Sequence, residues 1–153
     1  MSNSFTLTSP VFSNNSDIPP RYTCDGENIS PPLNISGIPN GTQSLALIVS
    51  DPDSPSGNFI HWVIYNIPPS VTELSENQIP SGSNQLKNSF GEDGYGGPCP
   101  HQGKHHYIFT LFALTIPLSP DIVDYDELAA KIESSKAAQT VLTGLYQRKN
   151  PLT

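Results

Sequence analysis

The sequence is short of basic residues: 7 Lys and Arg stand against 14 Asp and Glu among 153 residues, a formal charge of −7. Nucleic-acid binding needs clustered cations to displace counterions, and docking on anionic lipid needs the same, so both classes are disfavoured. Long apolar runs are also missing; none approaches the ~20 residues that span a bilayer. The opening MSNSFTLTSP has neither the basic segment nor the apolar segment of a secretory signal, which points to cytoplasmic residence. Without such a signal, the Asn-x-Ser/Thr triplets at Asn14, Asn28, Asn34 and Asn40 read as chance in an Asn/Ser-rich stretch. Only two cysteines occur, Cys24 and Cys99. In a reducing compartment their default is two free thiols, and a disulfide between them is the lesser alternative. No Gly-x-Ser-x-Gly elbow and no zinc-finger spacing is present.

What the chain does have is punctuation. With 16 Pro and 11 Gly, its apolar residues fall into separated blocks. The length suits one domain over residues 1–153. Residues 9–43 read as ordered loop and short edge segments anchored by Tyr22, Leu33 and Ile35. Three strong strands follow: SLALIVSD at 44–51, apolar enough for burial on both faces, then FIHWVIYNI at 59–67 and HHYIFTLFALTI at 105–116. Weaker strand signals lie at 71–74 and 85–89. Residues 121–144 have helical composition, opened by the capping pair Asp124 and Glu127. Leu128 and Ile132 are four apart, as are Val141 and Leu145. Ser134 and Ser135 can divide the segment into two helices, with Gly144 ending the second and 145–148 left as a short strand or tail. The class is mostly β with a helical C-terminal segment.

Polar residues collect where strands begin and end. If DPDSPSGN folds the first two strong strands into an antiparallel pair, Asp51, Asp53 and His61 meet at one end of the sheet. If the third runs parallel in direction to the second, His105 and Tyr107, which share a face, reach the same rim. The loop at 91–104 then hangs over it, and the N–H groups of Gly94, Gly96 and Gly97 can approach a ligand closely. Imidazoles there can donate to an oxyanion, while the carboxylates orient them or accept from an ammonium or hydroxyl. Each residue also has a plainer reading. Asp51 and Asp53 suit turns, His61 and Tyr107 suit a core, and His101 suits the open surface.

DPDSP, HWVIYNIP and GYGGPCPHQGKHHYIFTLFAL, with RYTCDGENISPPL and TGLYQR nearer the ends, closely resemble the phosphatidylethanolamine-binding protein family, also called the Raf kinase inhibitor protein family, in its bacterial-type branch. The resemblance spans essentially the whole chain. It implies an antiparallel Greek-key β-sandwich, a large central sheet plus a smaller one, with C-terminal helices. It also implies a small anion pocket at one end. On matching positions the ligand-binding residues are Asp51, Asp53, His61, Gly97, Pro98, His105 and Tyr107, with Gly96, Cys99 and Tyr146 as further candidates. Three departures stand out: His101 follows Pro100 where the family reads Pro-Pro, His106 replaces the family's arginine, and Ser50 replaces a common acidic residue.

The resemblance implies a non-enzymatic protein without a cofactor, recognising a phosphate-bearing or other small anionic group and regulating a kinase or other protein partner, as a monomer or homodimer. The alternatives are a hydrolase or protease-inhibitor-like protein using the same His/Asp pocket, with Cys99 as a nucleophile, and a metal site of Cys99, His101, His105 and His61 or an aspartate.

Overall fold

The structure, a computed structural model, describes residues 4–148. Its strands are β1 (Thr6–Thr8), β2 (Ser16–Asp17), β3 (Leu33–Ser36), β4 (Ser44–Asp51), β5 (Phe59–Ile67), β6 (Glu73–Leu74), β7 (Asn84–Gln85), β8 (His105–Leu114) and β9 (Lys136–Tyr146), with helix α1 (Tyr125–Ser135) before β9. β4, which carries almost unbroken apolar residues, lies inside a six-stranded sheet of order β2-β9-β8-β4-β5-β7. It is buried on both faces, as its lack of alternation predicts. The order β8-β4-β5-β7 is a Greek key: β5 and β7 follow β4 as antiparallel neighbours, and β8 returns to the other side of β4. β1, β3 and β6 form the smaller sheet.

Each face of the large sheet has its own core. On one side Leu45, Leu47, Val49, Trp62, Ile64, Tyr107, Phe109 and Leu111 meet Leu7, Leu33, Ile35 and Leu74 from the smaller sheet. Tyr22, Leu33 and Ile35 are buried anchors, as expected. On the other side α1 sets Leu128 and Ile132 against Ala46, Ile48, Val63 and Tyr65. Each of those two helix side chains contributes roughly 1.5–3 kcal/mol by burial. α1 starts as its sequence predicts: Asp124 accepts from the Glu127 N–H at 2.9 Å, and the Glu127 carboxylate accepts from the Val123 N–H at 3.0 Å. Among the described residues no helix is long and apolar enough to cross a membrane.

The expected second helix is corrected to a strand. α1 stops at Ser135, where the hydroxyls of Ser134 and Ser135 both donate to the Lys131 carbonyl. β9 then pairs with β8 along its whole length, from Leu114↔Lys136 to His105↔Tyr146. A four-residue apolar spacing fits a period of two as well as 3.6, and here Leu142, Gly144 and Tyr146 alternate inward. The unpaired edge of β8 offers a full ladder of hydrogen bonds, which outweighs the helical composition. Gly144 therefore ends nothing. It lies inside β9, where a Cβ would come within 2.5 Å of the buried Ile18 side chain.

The expectation of free thiols is also corrected: Cys24 and Cys99 form a disulfide, with Cα atoms 5.4 Å apart. They are 75 residues apart in the chain, and the fold lays the loop after β2 along the segment before β8. Beside the bond, the Cys24 N–H donates to the Pro98 carbonyl at 3.1 Å, and the Tyr95 hydroxyl donates to the Tyr22 carbonyl at 2.6 Å.

Gly144→Ala is expected to lower the free energy of unfolding by about 1–3 kcal/mol, because the added methyl has no room against Ile18. A urea titration measures this, and an unchanged midpoint would contradict the packing described.

Candidate functional site

β4 pairs antiparallel with both β5 and β8, so the end of β4 and the starts of β5 and β8 share one rim. Asp51 stands opposite Phe59, and its face of the sheet also carries Tyr107. His61 would not join them by alternation alone. Trp62 and Ile64 point to the same core as Tyr107, so a regular strand would turn His61 to the α1 side. The ladder slips between Val49↔Trp62 and Ser50↔Ile60, leaving His61 as an extra residue in a β-bulge. That bulge re-aims its ring, which meets the Tyr107 ring edge to face at 5.2 Å between centroids.

The result is a cavity of about 290 Å³. Asp51, His61, His105 and Tyr107 supply its polar wall, Phe59 and Phe90 its aromatic wall, and Cys99, Pro100 and His101 a third side. The turn after β4 closes it with Ser54, Pro55 and Ser56. Phe59 packs on both His61 and Phe90, at 4.9 and 4.7 Å between centroids, so one side of the imidazole is caged.

The hydrogen bonds divide these groups into committed and uncommitted ones. One Asp51 oxygen accepts from the Asp53 backbone N–H at 2.8 Å, and the other bonds His105 Nδ1 at 2.7 Å. His105 Nε2 donates to the Gln102 carbonyl at 3.1 Å. Asp51 and His105 therefore face each other and the loop. His61 Nδ1–H donates to the Gly96 carbonyl at 2.6 Å, and the Gly96 N–H returns a bond to the His61 carbonyl at 2.9 Å. That leaves Nε2. Burial holds this imidazole below the ordinary histidine range, against opposing contributions from the Gly96 carbonyl and Asp51. At neutral pH the ring is uncharged and Nε2 is an acceptor. The Tyr107 hydroxyl is buried and, among the described residues, has no hydrogen-bond partner. Burial, reinforced by the charge of Asp51, pushes this phenol far above its usual range, so it stays a donor.

The other expected site residues have different surroundings. Asp53 lies outside the cavity wall, accepting from the His106 N–H at 2.8 Å and bonding His106 Nδ1 at 2.7 Å. Those bonds hold the Asp53 carboxyl below its usual range. His106, where the resemblance implies an arginine, thus keeps a carboxylate partner, though an exposed pair is worth only about 0–1 kcal/mol. Gly97 and Pro98 sit behind the wall. The Gly97 N–H donates to the Asn28 side-chain carbonyl at 2.9 Å, and a Cβ there would come within 2.5 Å of the Tyr22 carbonyl oxygen. Gly96 acts through His61. Cys99 lines the cavity as half of a disulfide, so it is neither a thiolate nucleophile nor a thiolate metal ligand in this form. Tyr146 pairs with His105 in register, but its hydroxyl bonds Asp25, and the ring borders a separate groove with Lys104 and Arg148. His101, read as plain surface, lines the cavity, as do Phe59 and Phe90. An aromatic residue two positions before the first histidine was the signal for Phe59; Phe90 gave none.

The chain matches the sequence profile described as phosphatidylethanolamine-binding protein over residues 8–147. It is 48% identical over 149 residues to a UPF0098 protein of Methanothermobacter thermautotrophicus, covering 93% of this chain and 98% of that one. The crystal structure of a phosphatidylethanolamine-binding protein homologue from Chlamydia trachomatis, CT736, superimposes with a TM-score of 0.91 at 41% identity, covering 97% of this chain and all of that one. Escherichia coli YbcL, described as a member of the mammalian PEBP family, superimposes with a TM-score of 0.87 at 32% identity, covering 95% and 99%. With its sequence matched almost end to end and its fold shared, the chain belongs to the phosphatidylethanolamine-binding protein family.

Proposed function

We propose that the rim cavity binds a small ligand carrying a phosphate or comparable anionic group, and that the protein works by binding rather than catalysis. The observation that carries this reading is the Tyr107 hydroxyl, a buried donor with no protein partner among the described residues, on a side chain that lines the cavity. Leaving such a group unpaired costs about 1–3 kcal/mol, and an oxygen-rich ligand relieves it. The Ser54 and Ser56 hydroxyls line the same cavity and add donors. A volume of about 290 Å³ suits a head group more than a whole lipid. Asp51 has both oxygens occupied, yet its charge still acts on Tyr107 and His61, so an anion here relies on the donors of the wall.

Catalysis finds less support. The carboxylate–imidazole pair in the cavity wall, Asp51 with His105, has both ring nitrogens engaged, and His61 bonds a carbonyl in place of a carboxylate. Neither imidazole is poised between an acid and a nucleophile as acyl transfer requires. A phosphorylated side chain presented by a kinase or another partner offers the same chemistry as a free phosphomonoester, and competition with sulfate would reveal it.

Sulfate, whose charge is constant above pH 5, is the probe for calorimetry. Tyr107→Phe is expected to weaken sulfate binding about 12- to 160-fold, the worth of one hydrogen bond to a charged group, while leaving stability unchanged or slightly raised. Unchanged affinity, or a clear loss of stability, would contradict the role given to this hydroxyl.

The pH dependence has a definite sign. His61 starts below the ordinary histidine range and a bound anion raises it, so binding takes up a proton. Sulfate affinity should therefore climb as pH falls from 7.5 to 5 and level off below the free-state value. His61→Gln should flatten that rise. A flat profile in the wild type would exclude His61 from the anion site.

A further inference from the structure

We propose that the Cys24–Cys99 disulfide is a redox clasp on the cavity wall, opened by a dithiol reductant and setting ligand affinity; the affinity part rests on the anion-binding reading above. Cys99 and its neighbours Pro100 and His101 form one side of the cavity. Apart from the burial of Pro98 and Pro100 and an exposed ion pair of Lys104 with Asp17 at 3.0 Å, little else holds that side. Pro98 and Pro100 have no N–H, and residues 101–104 are exposed, with Gly103 at a φ of +71°. Among the described residues, the hydrogen bonds of segment 98–102 are Cys24 N–H to the Pro98 carbonyl and His105 Nε2 to the Gln102 carbonyl. Between those two points the covalent bond is the tie. Behind it the attachment is secure: Gly97 is bonded to Asn28 and Tyr95 to Tyr22, both independent of sulfur. Opening the bond therefore frees the wall and leaves the sheet intact.

Both cysteines are only half-buried, so a reductant can reach them. Accessible loop disulfides are the exchangeable ones. One thiolate of the dithiol attacks a sulfur of the bond, and the other cysteine leaves as a thiolate and takes up a proton. The second thiol of the reductant then resolves the mixed disulfide. Two electrons pass to the protein, which ends with two thiols, and the reductant leaves as its own disulfide. Cytoplasmic residence would keep the clasp exposed to such dithiols, whereas an oxidising compartment would keep it shut.

The test compares oxidised protein, protein reduced with dithiothreitol and alkylated, and the variant carrying Cys24→Ser with Cys99→Ser. Sulfate affinity is measured by calorimetry. Trypsin cleavage at Lys104, in the freed loop, is measured against cleavage at Lys87, an exposed lysine away from the clasp. Both open forms are expected to bind sulfate about three- to tenfold more weakly, through lost pre-organisation. They should also be cut at Lys104 about tenfold faster relative to Lys87, as local opening requires. Equal affinity with an equal cleavage ratio in open and closed forms overturns the proposal. So does faster cutting at both lysines together, which would assign the bond to global stability. If oxidised protein binds no sulfate, the anion reading fails alone, and the Lys104 to Lys87 ratio still decides the clasp.

Discussion

One inserted residue in β5 decides the shape of the rim cavity. The bulge at His61 turns its ring away from Val63 and Tyr65, under α1, toward Tyr107 and Asp51. A bulge leaves backbone groups out of the ladder, and here they are recovered by Gly96, which exchanges bonds with both the main chain and the ring of His61. Gly96 can come this close because it has no side chain; a Cβ would overlap the Phe90 ring at 2.4 Å. Phe90 in turn packs edge-on to Phe59 and His61. Bulge, glycine and aromatic wall thus form one unit.

The electrostatics follow from that unit. A buried carboxylate is tolerable only when its oxygens are satisfied, and the turn after β4 together with His105 does this for Asp51. His61, desolvated among aromatic rings, remains neutral with its proton fixed on Nδ1 by the Gly96 carbonyl. The cavity is therefore lined by a firm donor, Tyr107, by the hydroxyl residues Ser54 and Ser56, and by a switchable group, His61. The overall charge of −7 repels an anion but is screened beyond ~8 Å at physiological salt, so the proposed recognition depends on these short contacts.

Much of the frame was legible in the sequence. β4, β5 and β8 are apolar blocks long enough to bury, and their order brings Asp51, His105 and Tyr107 to one rim. α1 announced its start through Asp124 and Glu127. β9 was hidden because Ala138 and Leu142 satisfy two periods at once, and only the open edge of β8 chooses between them. The His61 bulge had no sequence mark, since its cause is the backbone of Gly96, 35 residues away. The disulfide was obscured by a similar distance problem: nothing local pairs Cys24 with Cys99 until the N-terminal loop is laid along residues 95–98. Tyr146 shows the reverse. Strand register brings it opposite His105, yet its hydroxyl turns to Asp25.

The central claim is that the bulge presents a neutral His61 whose Nδ1 proton is committed to Gly96 and whose Nε2 is bare. Nitrogen-15 NMR of the imidazoles at pH 7, without ligand, tests it directly. The account predicts a His61 ring in the Nδ1–H form, with a coupling across the hydrogen bond to the Gly96 carbonyl. A ring protonated on Nε2 alone, or doubly protonated at that pH, would contradict it.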